Sequence, residues 1–331
     1  MTEKEKSYLP FILITGVIFT FIIIMAIAVS QSFGDMAMND AINSTGIQEN
    51  QSFESLNATQ QLSYYAGASL TKIPPGSEVS LAISFILAII IGYVLIKFTA
   101  RLFKGLFLRL FYFTSIWALI VIFQIAIGYL IFGQGIFVYY FLVATLCVAS
   151  GLMLIWLFHP EWWIIDTIAI IIAITAAAFL GSSFGPLVII IGLIALSIYD
   201  YVAVIKTDFM MKFAKGVMSA QLPAALLIPY DKKNSVLGDG LKLEPVKDRF
   251  ERGFMVLGTG DLVFPTLLAV SCSLYMSMLA GYVVGFFIIV SYFVMTWVMT
   301  YSKYSEKITA LPGLPFLCTG AIIGYIVMLI V

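Results

Sequence analysis

The chain has 331 residues, of which 61% are hydrophobic and 11% charged, with 18 basic and 18 acidic residues in balance. An ordinary soluble domain carries about 25% charged residues, so this composition, with a mean hydropathy of +1.04, describes an all-α polytopic membrane protein held in a lipid bilayer. Zero net charge without a basic patch leaves no electrostatic footprint for a nucleic-acid partner.

A helix needs about 20 apolar residues to cross a bilayer core, and eight or nine runs meet that need. The first, 9–29, follows Lys4 and Lys6; it is too long for a signal-peptide core and lacks a small-residue cleavage site, so it is expected to remain as a helix. Residues 30–79 are polar, carry Asp35, Asp40, Glu49 and Glu54, hold Asn-x-Ser/Thr triplets at Asn43, Asn50 and Asn57, and meet a stop at Pro74-Pro75-Gly76. They read as an extracytoplasmic loop. The second run, 79–96, leads through Lys97, Arg101, Lys104 and Arg109 to the third, 110–132. Gly133-Gln134-Gly135 turns the chain into the fourth, 136–158, which His159-Pro160-Glu161 closes. Trp162 and Trp163 suit an interfacial belt at the head of the fifth run, which reaches Leu180. The stretch 181–186 reads as a short turn, and the sixth run, 188–205, carries Asp200. A long charged loop, 206–252, precedes the seventh run, which opens on Leu257-Gly258-Thr259-Gly260-Asp261; the eighth covers 279–299 and the ninth 314–331.

Cationic residues orient these spans. With the N-terminus cytoplasmic and the spans alternating, 17 of the 18 Lys and Arg residues face the cytoplasm, and Lys72 alone falls outside. That bias favours nine spans with the C-terminus extracytoplasmic, spans one to five (1–180) preceding a second unit of spans six to nine (181–331).

Ionisable groups inside a span cost about 2.5 to 3.5 kcal/mol on insertion scales and mark function by default. Asp200 lies six residues before Lys206, about 9 Å at 1.5 Å per residue, and Asp261 lies nine residues after Arg252, about 13 Å. Packed as antiparallel neighbours, spans six and seven bring both carboxyls to one level. Two close carboxylates in low dielectric cannot both ionise easily, so the pair shares a proton and titrates in two steps. One Asp then takes a proton from water while the other polarises a peptide carbonyl, the arrangement of an aspartyl protease. Gly258 and Gly260 let a substrate backbone or a facing helix approach Asp261. The same acids would also serve a proton relay in a transporter or channel.

The remaining candidates are weaker. Pro312 and Pro315 remove backbone donors at the head of span nine, and irregular backbone at that depth is tolerated only against protein or a wet cavity. A strand within 236–246 would let an unwound substrate segment pair with it. Glu161 and Asp166 read as interfacial rather than catalytic. Cys147, Cys272 and Cys318 lie far apart without Cys-x-x-Cys spacing, and His159 has no cluster of ligands around it, so no metal or organic cofactor is expected.

Tyr199-Asp200-Tyr201-Val202-Ala203-Val204 resembles the Tyr-Asp-x-x-Ala-Val stretch of presenilins, Gly258-Thr259-Gly260-Asp261 resembles their Gly-x-Gly-Asp motif, and Pro312-Gly313-Leu314-Pro315 is similar to their Pro-Ala-Leu-Pro motif. The three stand in order on spans six, seven and nine of a chain similar to compact archaeal members. The resemblance implies an intramembrane aspartyl protease that cuts single-span helical proteins in a cell membrane. Asp200 and Asp261 would be its dyad, with Tyr199, Gly258, Gly260, Pro312, Gly313, Leu314 and Pro315 supporting the site. It leaves room for accessory subunits and for self-cleavage of the loop 206–252. Gly313 departs from the motif's alanine, and Pro265 is more like the signal peptide peptidase branch, whereas the charge bias matches the presenilin orientation.

Overall fold

The computed structural model describes residues 3–45, 106–132, 137–158, 161–206, 223–229, 254–301 and 313–330. Eight helices and two short strands fill these stretches. In chain order they are α1 (Glu3–Thr45), α2 (Leu106–Phe132), α3 (Phe137–Phe158), α4 (Trp162–Ser183), α5 (Pro186–Lys206), β1 (Ala225–Pro229), β2 (Phe254–Gly258), α6 (Thr259–Tyr275), α7 (Met278–Tyr301) and α8 (Gly313–Ile330). Six of the helices are long and apolar enough to cross a membrane, while Val143–Phe158 of α3 and all of α6 form shorter apolar helices. The protein is an integral membrane protein. The second apolar run, 79–96, lies outside the described residues, as do the turn at 133–135, His159 and the strand expected within 236–246.

Helix α6 is the hub. It packs against α1, α4, α5, α7 and α8, and every residue from Pro265 to Ser273 is buried. A helix apolar on all sides belongs inside a bundle rather than on its surface. At 17 residues it is about 25 Å long, short of a roughly 30 Å hydrocarbon core, because the chain before it is extended. There β1 and β2 pair antiparallel, from Ala225 opposite Gly258 to Pro229 opposite Phe254. The Thr259 N–H (3.1 Å) and its Oγ1 hydroxyl (2.9 Å) both donate to the Ala224 carbonyl, tying the start of α6 to the start of β1.

Between helices in lipid, close packing replaces the hydrophobic drive, and small residues allow it. A Cβ on Gly281 of α7 would stand 2.5 Å from Ser273 Cβ of α6, and one on Gly320 of α8 would stand 2.5 Å from Ser291 Cβ of α7. Serine then fixes the angles: Ser291 Oγ donates to the Phe316 carbonyl at 2.8 Å, and Ser271 Oγ donates to that of Phe184 at 2.7 Å. On the far side, Tyr292 of α7 is fully buried, hydrogen-bonded to Thr15 of α1, and edge-on to Phe19 at 5.8 Å. A second cluster, with Ile116, Ile120, Ala149, Met153, Ile164 and Ile168, joins α2, α3 and α4.

Two boundaries differ from those expected. Helix α1 runs on to Thr45, through residues assigned to a loop from 30 onward; the segment holds Ala and Met and meets no proline until Pro74, so loss of hydrophobicity does not end the helix. Gly181 lies inside α4, and the chain breaks only at Phe184, whose backbone is extended at φ −128° and ψ 138°. A Cβ on Gly181 would stand 2.7 Å from Val270 Cβ, so this glycine serves helix contact rather than a turn.

Candidate active site

Helix α5 turns Asp200 inward. The residue is 3% exposed, while its flanks Tyr199 and Tyr201 are 55% and 54% exposed, as helical geometry places neighbours about 100° apart. Helix α6 presents Asp261, half-buried, in its first turn just after the extended Gly258. Pro265, buried in the next turn, has no N–H, so the Asp261 carbonyl has no intrahelical partner there.

The two acids meet at the head of α8. The Leu314 N–H donates to Asp200 Oδ2 at 3.3 Å, slightly longer than the usual range of about 2.7–3.2 Å for such a bond. A Cβ added to the adjacent Gly313 would stand 3.2 Å from Asp261 Oδ2, 3.4 Å from its Cγ and 3.7 Å from Met295 Sδ. Consecutive residues of one helix start thus touch one carboxyl each. Cys318 is buried one turn further along α8.

Other singled-out residues are placed as follows. Gly258 borders the site directly, since a Cβ there would stand 3.4 Å from Asp261 Oδ2. Gly260 faces the Phe264 ring of its own helix at 3.4 Å rather than the carboxyl. The exposed Tyr199 points away from the side on which Asp200 is buried. Pro315 is half-buried in the first turn of α8, and Pro312 lies outside the described residues. Asp166 is buried within the bundle at 7% exposure, and Glu161 accepts a hydrogen bond from the Trp163 indole N–H. Two neighbours of this pair of acids escaped sequence reasoning. Cys318 carried a usable signal, four residues after Leu314 on one helical face; Met295 carried none, because only the packing of α7 on α8 brings it in.

A groove of about 310 Å³, lined by Phe113, Thr114, Trp117, Ser150 and Leu154, takes nothing from α5, α6 or α8 and is separate from the acids. Among the described residues no group of three or more His, Cys, Asp or Glu side chains converges as a metal site would require.

A family profile described as signal-peptide peptidase, presenilin aspartyl protease matches residues 62–331. The chain belongs to that family. As a member of the signal-peptide peptidase and presenilin family, it is an intramembrane aspartic endopeptidase. Two solved structures share its fold. A presenilin family intramembrane aspartate protease in space group C222 superposes with a TM-score of 0.57 at 18% identity, covering 97% of each chain. Another structure of a presenilin family intramembrane aspartate protease, in space group P2, superposes with a TM-score of 0.52 at 20% identity, covering 92% of this chain and 95% of that one. No curated protein sequence matches the chain.

Proposed function

We propose that Asp200 and Asp261 are the catalytic dyad of this family member and that it hydrolyses peptide bonds within the transmembrane helices of single-span proteins. The observation that carries the reading is the placement of both carboxyls against two consecutive residues, Gly313 and Leu314. A shared site lets one carboxylate activate water while the other, protonated, polarises the carbonyl. Gly258 and Gly313 keep side chains away from Asp261, Leu314 supplies a backbone donor, and Pro315, with Pro312 by its place in the sequence motif, supports the site. Tyr199 and Gly260 support the site from its periphery.

A peptide bond in a helix is shielded by its own hydrogen bonds, so the substrate must unwind before attack. The β1–β2 pair leads straight into Asp261, and an extended segment adding to its edge has its main-chain groups satisfied beside the acids. We further propose nine spans, N-terminus cytoplasmic and C-terminus extracytoplasmic, on the strength of the charge bias. Residues 1–180 then form the N-terminal unit of spans one to five with an extracytoplasmic loop at 30–79, 181–331 the catalytic one with a cytoplasmic loop at 206–252, and the protein resides in the cell membrane. Catalysis calls for water and two carboxyls but no metal or organic cofactor.

The test is cleavage of a purified single-span substrate in detergent by the parent protein, Asp200→Ala and Asp261→Ala, with product masses read directly. Cutting within the span by the parent and by neither variant is the expected result. Equal cutting by both variants refutes the dyad, and proton-driven solute flux without peptide product would return the acids to a transport role.

A further inference from the structure

We propose that the two acids are not interchangeable: Asp200 is the ionised member that takes the proton from water, and Asp261 holds the shared proton. The assignment rests on the dyad reading above and on which carboxyl the head of α8 serves. The first N–H groups of a helix have no partner within it and carry the positive end of its dipole. Helix α8 has 18 residues, and its second residue, Leu314, gives its N–H to Asp200 Oδ2. Pro315, next along, has no N–H to give. A hydrogen bond from a neutral donor is stronger to a carboxylate than to a carboxylic acid, so this donor favours charge on Asp200.

No described residue gives Asp261 such a partner. It stands in the first turn of α6 and so feels that helix's dipole, but among the described residues none donates a hydrogen bond to its carboxyl. A Cβ added at Gly258 or at Gly313 would stand 3.4 or 3.2 Å from its Oδ2. A direct bond to charge outweighs a helix terminus without one. Among the described residues the titratable group that neighbours both acids is Cys318 of α8; Tyr292 of α7 turns its hydroxyl to Thr15 of α1, on the far side of that helix.

The chemistry then runs in a defined order. Asp200 accepts a proton from water as the water oxygen bonds to the scissile carbonyl carbon. The displaced carbonyl electron pair stays on its oxygen, which takes the proton of Asp261. In the resulting diol state Asp200 is protonated and Asp261 ionised. Breakage of the C–N bond sends the Asp200 proton to the leaving nitrogen, and Asp261 recovers a proton from a diol hydroxyl, restoring the starting state.

Removing one N–H tests the assignment. Leu314 is introduced as its α-hydroxy acid, which turns the 313–314 amide into an ester and keeps the side chain. The pH profile of kcat/KM is then measured on the single-span substrate. The acid limb marks the step from doubly to singly protonated dyad, and the basic limb the loss of the last proton. If Asp200 is the ionised member, the lost N–H destabilises the singly protonated and the fully ionised states alike. The acid limb therefore moves to higher pH by about one unit, and the basic limb stays in place. If Asp261 is the ionised member, only the fully ionised state suffers; movement of the basic limb alone overturns the assignment. Limbs that both stay fixed in a folded ester protein overturn it as well.

Failure of the underlying dyad reads differently, as cutting by Asp200→Ala and Asp261→Ala. Should the ester protein not fold, Gly313→Ala replaces it, with the infrared carboxylic-acid band recorded between the two limbs. Its new methyl abuts Asp261, so that band shifts if the proton is there; an unmoved band overturns the proposal.

Discussion

Replacement of Gly320 by alanine tests how firmly the head of α8 is held. The new Cβ would lie 2.5 Å from Ser291 Cβ, 2.6 Å from Ser291 Oγ and 2.7 Å from the Phe287 carbonyl oxygen. Carbon atoms in contact sit about 3.5 to 4.0 Å apart, so α8 must move off α7 by about 1 Å. Phe287 contributes a backbone atom that no rotamer change can withdraw. Overpacking of this kind costs about 1 to 3 kcal/mol, and the Ser291 bond to the Phe316 carbonyl, broken by the shift, adds about 0.6 kcal/mol on the average for helix pairs in membranes. The expected loss is about 2 to 4 kcal/mol of stability, read as a lower unfolding temperature in detergent. Activity should fall further than stability, because Leu314 rides on the displaced helix, and a shift of about 1 Å at a reacting centre costs about 100-fold in rate. A Gly320→Ala protein with the parent's melting curve and rate would refute the idea that α7 sets the position of α8.

Four more outcomes are open to measurement. Gly313→Ala should lower kcat by a few-fold, since Asp261 must yield a few tenths of an ångström to the methyl, while unfolding shows a gain of about 0.4 to 1 kcal/mol from the lost glycine freedom. Asp200→Asn and Asp261→Asn should each abolish cleavage and still melt as folded proteins, because the amide keeps the volume and its oxygen still accepts a hydrogen bond; retained cleavage in either would end the two-acid mechanism. Tyr292→Phe should cost about 0.6 kcal/mol, at most about 1.7, by deleting the bond to Thr15, and chemical denaturation reads it. The parent rate should be bell-shaped in pH: both acids protonated at low pH leaves no base, both ionised at high pH leaves no proton for the carbonyl, and a monotonic profile would contradict a shared-proton pair.

Much of this was legible in the sequence, for physical reasons. Runs such as 188–205 and 279–299 announce helices because lipid forbids unpaired backbone, and Asp200 and Asp261 stand out because charge in such a run is costly. The strands were not legible. Ala225–Pro229 and Phe254–Gly258 pair across a long separation, and five apolar residues show no period that distinguishes a strand from the margin of a helix. Glycines were the other blind spot: Gly181 and Gly260 look like turn or substrate-clearance residues in a string of letters, whereas the nearest atoms to a Cβ at each belong to Val270 and Phe264. Only a neighbour's position decides what a missing side chain is for.

The enclosure of α6 by five other helices bears on how the chain is made. A ribosome delivers helices in order, so α1, α4 and α5 are already in the membrane when α6 emerges, and α7 and α8 are not. At that moment the helix carrying Asp261 has part of its protein surroundings missing and is shorter than the bilayer core is thick. Its insertion therefore leans on the helices made before it and is completed by those made after, which makes the order of synthesis part of what places the acid.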